Sequence, residues 1–145
     1  MRLLPDINIL IYAFDENSES HAPAKAWLES ALNGEYQIVT SSAILASVVR
    51  VTTGTAMKAP LDLVLAYVNA LREAPAILVL EPGPRFWEIF EKVLRQSGMI
   101  GSLVSDVSMA ALATEHDCTL VTYDRDFDRI PGLKLARPGQ VTLSP

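Results

Sequence analysis

Cysteine is nearly absent from this sequence: Cys118 is the single one in 145 residues. That excludes a disulfide framework and a four-thiolate zinc site, and it suits a reducing compartment. Histidine is almost as scarce, and His21 and His116 lie too far apart in sequence to imply a zinc site. Long apolar runs are missing as well. Runs such as residues 76–80 fall far short of the roughly 18 residues that a membrane span needs. Nothing after Met1 and Arg2 reads as the apolar core of a signal peptide. Basic residues are few, twelve against seventeen acids, for a net charge of −5. A field of that sign does not hold nucleic acid, so composition alone ranks such partners low. The expectation is one soluble, cytoplasmic domain spanning residues 1–145, without membrane contact.

What is present is apolar residues, half of the chain, enough for one sizeable core. Leu3-Leu4 reads as a strand ending at Asp6, with a short buried helix over residues 7–14. Ala24, Trp27, Leu28, Ala31 and Leu32 recur at helical spacing, between Ser20 as N-cap and Gly34 as stop. Residues 36–39 form a strand, and Ser41 or Ser42 caps a helix ended by Gly54. Residues 55–60 are a loop. Leu61, Val64, Leu65, Val68 and Leu71 then make the inner stripe of a helix broken by Pro75. Residues 76–80 have the continuous apolar character of a strand buried on both faces. Gly83-Pro84 opens a helix with Phe86, Ile89, Phe90, Val93 and Leu94 facing inward, and Gly98 ends it. A helix over residues 105–116, a buried strand over 119–122 and a short strand over 133–135 complete the chain. Strands alternating with helices indicate an α/β fold around a mainly parallel sheet of four to five strands. In such sheets ligands sit outside the carboxyl ends of the strands.

Two aspartates stand at such ends: Asp6 after the first strand and Asp124 after the strand over 119–122. Asp106 begins the helix between. Singly, each reads as a cap or turn residue. Gathered at one sheet edge, they repel by about 4 kcal/mol per pair at about 4 Å and an effective dielectric near 20. A hard divalent cation with oxygen ligands offsets that repulsion and can assist phosphodiester hydrolysis.

The stretches carrying these acids are Leu4-Pro5-Asp6-Ile7-Asn8, Leu103-Val104-Ser105-Asp106 and Thr122-Tyr123-Asp124-Arg125-Asp126-Phe127. In order and spacing they resemble the PIN-domain family, specifically VapC toxins of bacterial VapBC toxin–antitoxin modules. The resemblance implies a PIN-like three-layer α/β/α sandwich and a Mg²⁺-dependent endoribonuclease, with Mn²⁺ as substitute. It also implies an RNA substrate, a VapB-type antitoxin partner and a homodimer. By position, Asp6, Asp106 and Asp124 match the family's catalytic and metal-binding acids. Asn8 matches the companion of the first acid, and Thr122 the hydroxyl that orients a carboxylate or water. One departure is evident: Ala46-Ser47-Val48-Val49-Arg50 carries Ser47 where the family has glutamate, and Ser102 replaces a usual asparagine. Loss of that acid implies weaker metal binding or activity, or a PIN-fold protein that only binds its antitoxin. Glu81 is a conceivable substitute.

Other readings fail on particular residues. Asp124, Asp126 and Asp128 imitate a calcium loop, but Arg129 and Leu135 occupy the positions needing glycine and glutamate. A phosphoacceptor receiver needs paired acids after the first strand and an aspartate ending a middle strand. Here Asp6 is single and the middle strand ends in Glu81-Pro82. Cys118 and His116 read as ordinary packing residues and His21 as a surface residue. Phe86, Trp87 and Phe90 read as core or subunit interface ahead of a base-stacking platform. Arg125 and Arg129 suit a solvated loop face as well as RNA phosphates.

Overall fold

A computed structural model of the protein describes residues 1–140. Its strands are β1 (Arg2–Pro5), β2 (Gln37–Thr40), β3 (Ile77–Val79), β4 (Cys118–Val121) and β5 (Leu135–Ala136). They form one sheet in the order β3-β2-β1-β4-β5, and every neighbouring pair is parallel. The helices are α1 (Ile7–Phe14), α2 (His21–Asn33), α3 (Ser42–Thr52), α4 (Leu61–Glu73), α5 (Phe86–Ser97) and α6 (Val104–Glu115). Helix α1 packs against α2 and α3, and α3 against α4, while α5 and α6 pack against each other. Right-handed crossovers explain the division. The chain moves outward from β1 to β3 on one side, then returns across the sheet to β4 on the other, so the second helix pair covers the opposite face. The result is an α/β/α three-layer sandwich.

The core is continuous through the sheet. Leu3, Leu4, Val39, Leu120 and Val121 are fully buried, with Ile38 nearly so, and α6 contributes Val107, Ala110, Ala111, Leu112 and Ala113. Alanines on several sides of α6 let it lie close to its neighbours. In α2 the expected residues Ala24, Trp27, Leu28 and Ala31 are buried. The side chain of Ser41, rather than Ser42, caps α3 by accepting from the Ile44 amide at 3.2 Å. Gly98 ends α5 in the left-handed region, φ 67°, where a side chain would be strained.

Three expectations change. Residues 77–79 are only half-buried, because β3 is a sheet edge with no strand beyond it. On α4 only Val64, Val68 and Leu71 are buried, while Leu61 and Leu65 face solvent. His21 is not free at the surface; its Nδ1 lies 2.8 Å from the Tyr12 carbonyl oxygen and ties α2 to α1. Cys118 is buried, and desolvation raises its thiol to about 11, consistent with an inert packing role. No helix among the described residues is long and apolar enough to cross a membrane.

Candidate active site

The order β3-β2-β1-β4-β5 reverses direction between β1 and β4, which opens a crevice at their carboxyl ends. Asp6 directly follows β1, and its amide donates to the Val121 carbonyl at 2.8 Å, locking it to the end of β4. Although Asp6 holds the N-cap position of α1, its carboxylate is engaged elsewhere. The buried Thr122 hydroxyl donates to Asp6 Oδ2 at 2.8 Å and itself accepts from the Asp124 amide at 2.9 Å. Asp124 Oδ1 in turn accepts from the Asp126 amide at 2.9 Å, capping the 3-10 turn Arg125–Arg129. One hydroxyl thus links the ends of both central strands and fixes two acids.

Asp106 approaches from the first turn of α6. Carboxylate oxygens of Asp106, Asp124 and Asp126 lie within 4.8 Å of one another. Partial burial, then the charges of Asp6, Asp124 and Asp126, push the Asp106 carboxyl up to about 6. Burial likewise raises Asp6, which is only 2% exposed, against the opposing pull of the Thr122 hydrogen bond. Four aspartates therefore sense one another, and no lysine or arginine contributes to the shift at Asp106 or Asp6. An all-carboxylate donor set without an internal counter-charge fits a hard divalent cation. Asp106, Asp124 and Asp126 are the residues placed to hold one, with Asp6 beside them.

A PIN-domain family model matches residues 3–133 of the chain. The chain belongs to the PIN-domain family. Its likeness is to the VapC type. Ribonuclease VapC37 of Mycobacterium tuberculosis is 32% identical over 136 residues, covering 92% of this chain and 94% of the relative. Ribonuclease VapC43 of the same organism is 33% identical over 147 residues, covering 97% and 99%. Among solved structures, VapBC2 from Rickettsia felis bound to a promoter DNA fragment superposes with TM-score 0.71 at 22% identity, covering 94% of this chain and 98% of that one. M. tuberculosis VapC20, a sarcin-ricin loop cleaving toxin, does so with TM-score 0.68 at 16% identity, covering 90% and 95%. At those identities the structural likeness speaks for the fold.

In this PIN domain a groove of about 650 Å³, with Asp106 as its one lining acid, runs between α1 and α3 on one side and α5 and α6 on the other. Asn8, Ser47 and Asp106 line this groove together. Glu81 is not the replacement for the missing acid. Its Oε1 accepts from the Ser42 amide at 2.9 Å and serves the start of α3. Two residues of the site were not singled out from sequence. Asp126 joins the acid cluster; the sequence carries it in the stretch Asp124-Arg125-Asp126-Phe127 and in the failed calcium loop, without assigning it a metal role. Arg137, directly after β5, donates from Nη1 to the carbonyls of Thr122 and Asp124, each at 3.1 Å. Its other nitrogen grips both carboxylate oxygens of Asp128 at 2.8 and 3.0 Å. That fork fastens the loop carrying Asp124 and Asp126, and no local motif marks it. Arg125 and Arg129 are exposed, as expected of a loop face.

Proposed function

We propose that this chain is the ribonuclease toxin of a type II toxin–antitoxin module, a single PIN domain over residues 1–145 that hydrolyses RNA phosphodiesters. The observation that carries the reading is the set of aspartates gathered at the β1/β4 crevice, with no lysine or arginine relieving the upward shift of Asp106. Curated relatives named VapC ribonucleases, matched over nearly their whole length, support it. Asp6, Asp106 and Asp124 are the catalytic and metal-binding acids, with Asp126 added to the set, and Mg²⁺ is the cofactor, replaceable by Mn²⁺. When bound, such an ion would neutralise phosphodiester charge and lower the pKa of an attacking water. Thr122 orients the Asp6 carboxylate, Asn8 and Ser47 hydrogen-bond substrate or water from the groove wall, and Arg137 keeps the Asp124 loop in register. A VapB-type antitoxin, homodimerisation and a cytoplasmic location complete the proposal, with VapBC complexes among the structural neighbours in its support.

The test uses purified chain freed of any antitoxin. Single-stranded RNA is cut with Mg²⁺ or Mn²⁺ and left intact in EDTA, and Asp6→Asn abolishes cutting. Asp126→Asn weakens Mn²⁺ affinity by about tenfold or more, and Ser47→Glu strengthens it. Ser47 itself favours a second reading, a PIN fold that has lost catalysis and only binds its antitoxin. Absence of metal-dependent cleavage at high protein concentration, with antitoxin binding intact, would decide for that one.

A further inference from the structure

We propose that Trp87, backed by Phe90, forms a base-stacking subsite for single-stranded RNA in the groove that Asp106 lines; this rests on the ribonuclease reading above. Helical spacing turns Phe86, Ile89, Phe90, Val93 and Leu94 of α5 toward the core and leaves Trp87 off that stripe. The structure agrees. Ile89 and Val93 are buried, Phe86 and Phe90 are half-buried, and Trp87 is 68% exposed. Trp87 is therefore not a core residue, and a large indole left in water needs a reason.

Its surroundings supply one. Trp87, Phe90 and Asp106 line the same groove, and Ser47 and Arg50 line its other wall from one face of α3. The Phe90 ring braces the indole at a centroid distance of 5.4 Å with 41° between planes, and Phe86 stacks on Phe90 at 5.7 Å and 15°. The indole is thus held by rings anchored to the core, which reduces the entropy lost when something packs on it. A groove offering an open aromatic face, one exposed guanidinium and Asp106, a member of the carboxylate cluster, matches a strand whose bases are unpaired. The phosphate meets the metal-binding acids and Arg50, while a neighbouring base stacks on Trp87. Duplex RNA keeps its bases stacked internally and gains nothing from such a face. The subsite is sequence-tolerant, since every base has a π face.

The experiment uses the Asp6→Asn chain with Mg²⁺ and a random-sequence, single-stranded oligoribonucleotide of about twelve nucleotides. The only other tryptophan, Trp27, is buried at 6% exposure, so solvent-exposed indole emission reports Trp87. RNA should quench that emission, and an abasic oligomer of equal length should not. Trp87→Ala should weaken binding, read by anisotropy of labelled RNA, by about 5- to 100-fold, and Trp87→Phe should stay within about threefold of the parent. Equal affinity of Trp87→Ala and parent overturns the subsite, as does equal binding of the abasic oligomer. A Trp87→Ala chain whose mass halves by light scattering, with RNA affinity unchanged, overturns it in favour of a contact between copies. If the unsubstituted chain cuts RNA while Trp87→Ala binds it normally, only the subsite fails. If the chain neither cuts nor binds RNA, the ribonuclease reading fails and takes the subsite with it.

Discussion

At Asp106 burial and three neighbouring carboxylates act in one direction, and the result is an acid that titrates near 6 instead of in the ordinary aspartate range. The folded chain takes up this proton more readily than the unfolded one, so ionised Asp106 opposes folding. Its contribution to stability therefore falls as pH rises from the unfolded value through about 6, the reverse of a salt-bridged aspartate. Metal binding runs the other way, because the ion needs the carboxylate. Mg²⁺ affinity should rise with pH through about 6 and level off above it. Carboxyl-carbon NMR titration of the metal-free chain should place Asp106 near 6, and saturating Mg²⁺ should move it well down. A metal-free midpoint in the ordinary range would show that the four acids do not meet as described.

Among the elements, the connection from β3 to α5 depends on a side chain far away in sequence. Glu115, at the end of α6, accepts from the Gly83 amide at 2.7 Å and the Arg85 amide at 2.9 Å. A Cβ at Gly83 would sit 2.9 Å from Glu115 Oε2, so a side chain there would push the carboxylate away from the two amides. Glu115→Ala leaves both amides without that partner and should cost about 1–3 kcal/mol, with the urea m-value unchanged. Because Glu115 lies at the other end of α6 from Asp106, Mn²⁺ affinity of the folded variant should stay at the parent value. Loss of metal affinity would mean that this clasp also sets the position of α5 and α6 at the groove.

Across the whole molecule, carboxylate repulsion at the crevice is a standing opposition to folding that a bound cation removes. Mg²⁺ at about 100 times its dissociation constant should stabilise the chain by about 2.7 kcal/mol. For a domain of this size that is a rise in Tm of roughly 5–15 °C. Scanning calorimetry should show that rise for the parent chain and little of it for Asp106→Asn. A comparable rise in both would place the stabilising ion elsewhere. The acidic surplus of the chain bears on nucleic acid only through this site, where a bound cation inverts the local sign.

Sequence alone determined what is local or periodic. Apolar spacing placed all six helices and five strands to within a few residues, because burial of one face imposes the period. Motif order picked out Asp6, Asp106, Asp124 and Thr122 at positions that the parallel sheet brings together. Facts about neighbours were decided only by tertiary structure. An apolar run such as residues 76–80 reads the same in a central strand and at the exposed edge where β3 lies. Glu81 and Asp126 are both acids near strand ends, yet one serves a helix start and the other joins the cluster. The grip of Arg137 on Thr122 and Asp124, and of Glu115 on Gly83, joins residues 13 to 32 positions apart that no local pattern pairs. Trp87 shows the division most plainly: sequence groups it with Phe86 and Phe90 as core or subunit interface, and only the packed structure shows it 68% exposed and lining the groove that Asp106 also lines. Periodicity fixes which way a side chain turns; what it meets there depends on elements that arrive from elsewhere in the chain.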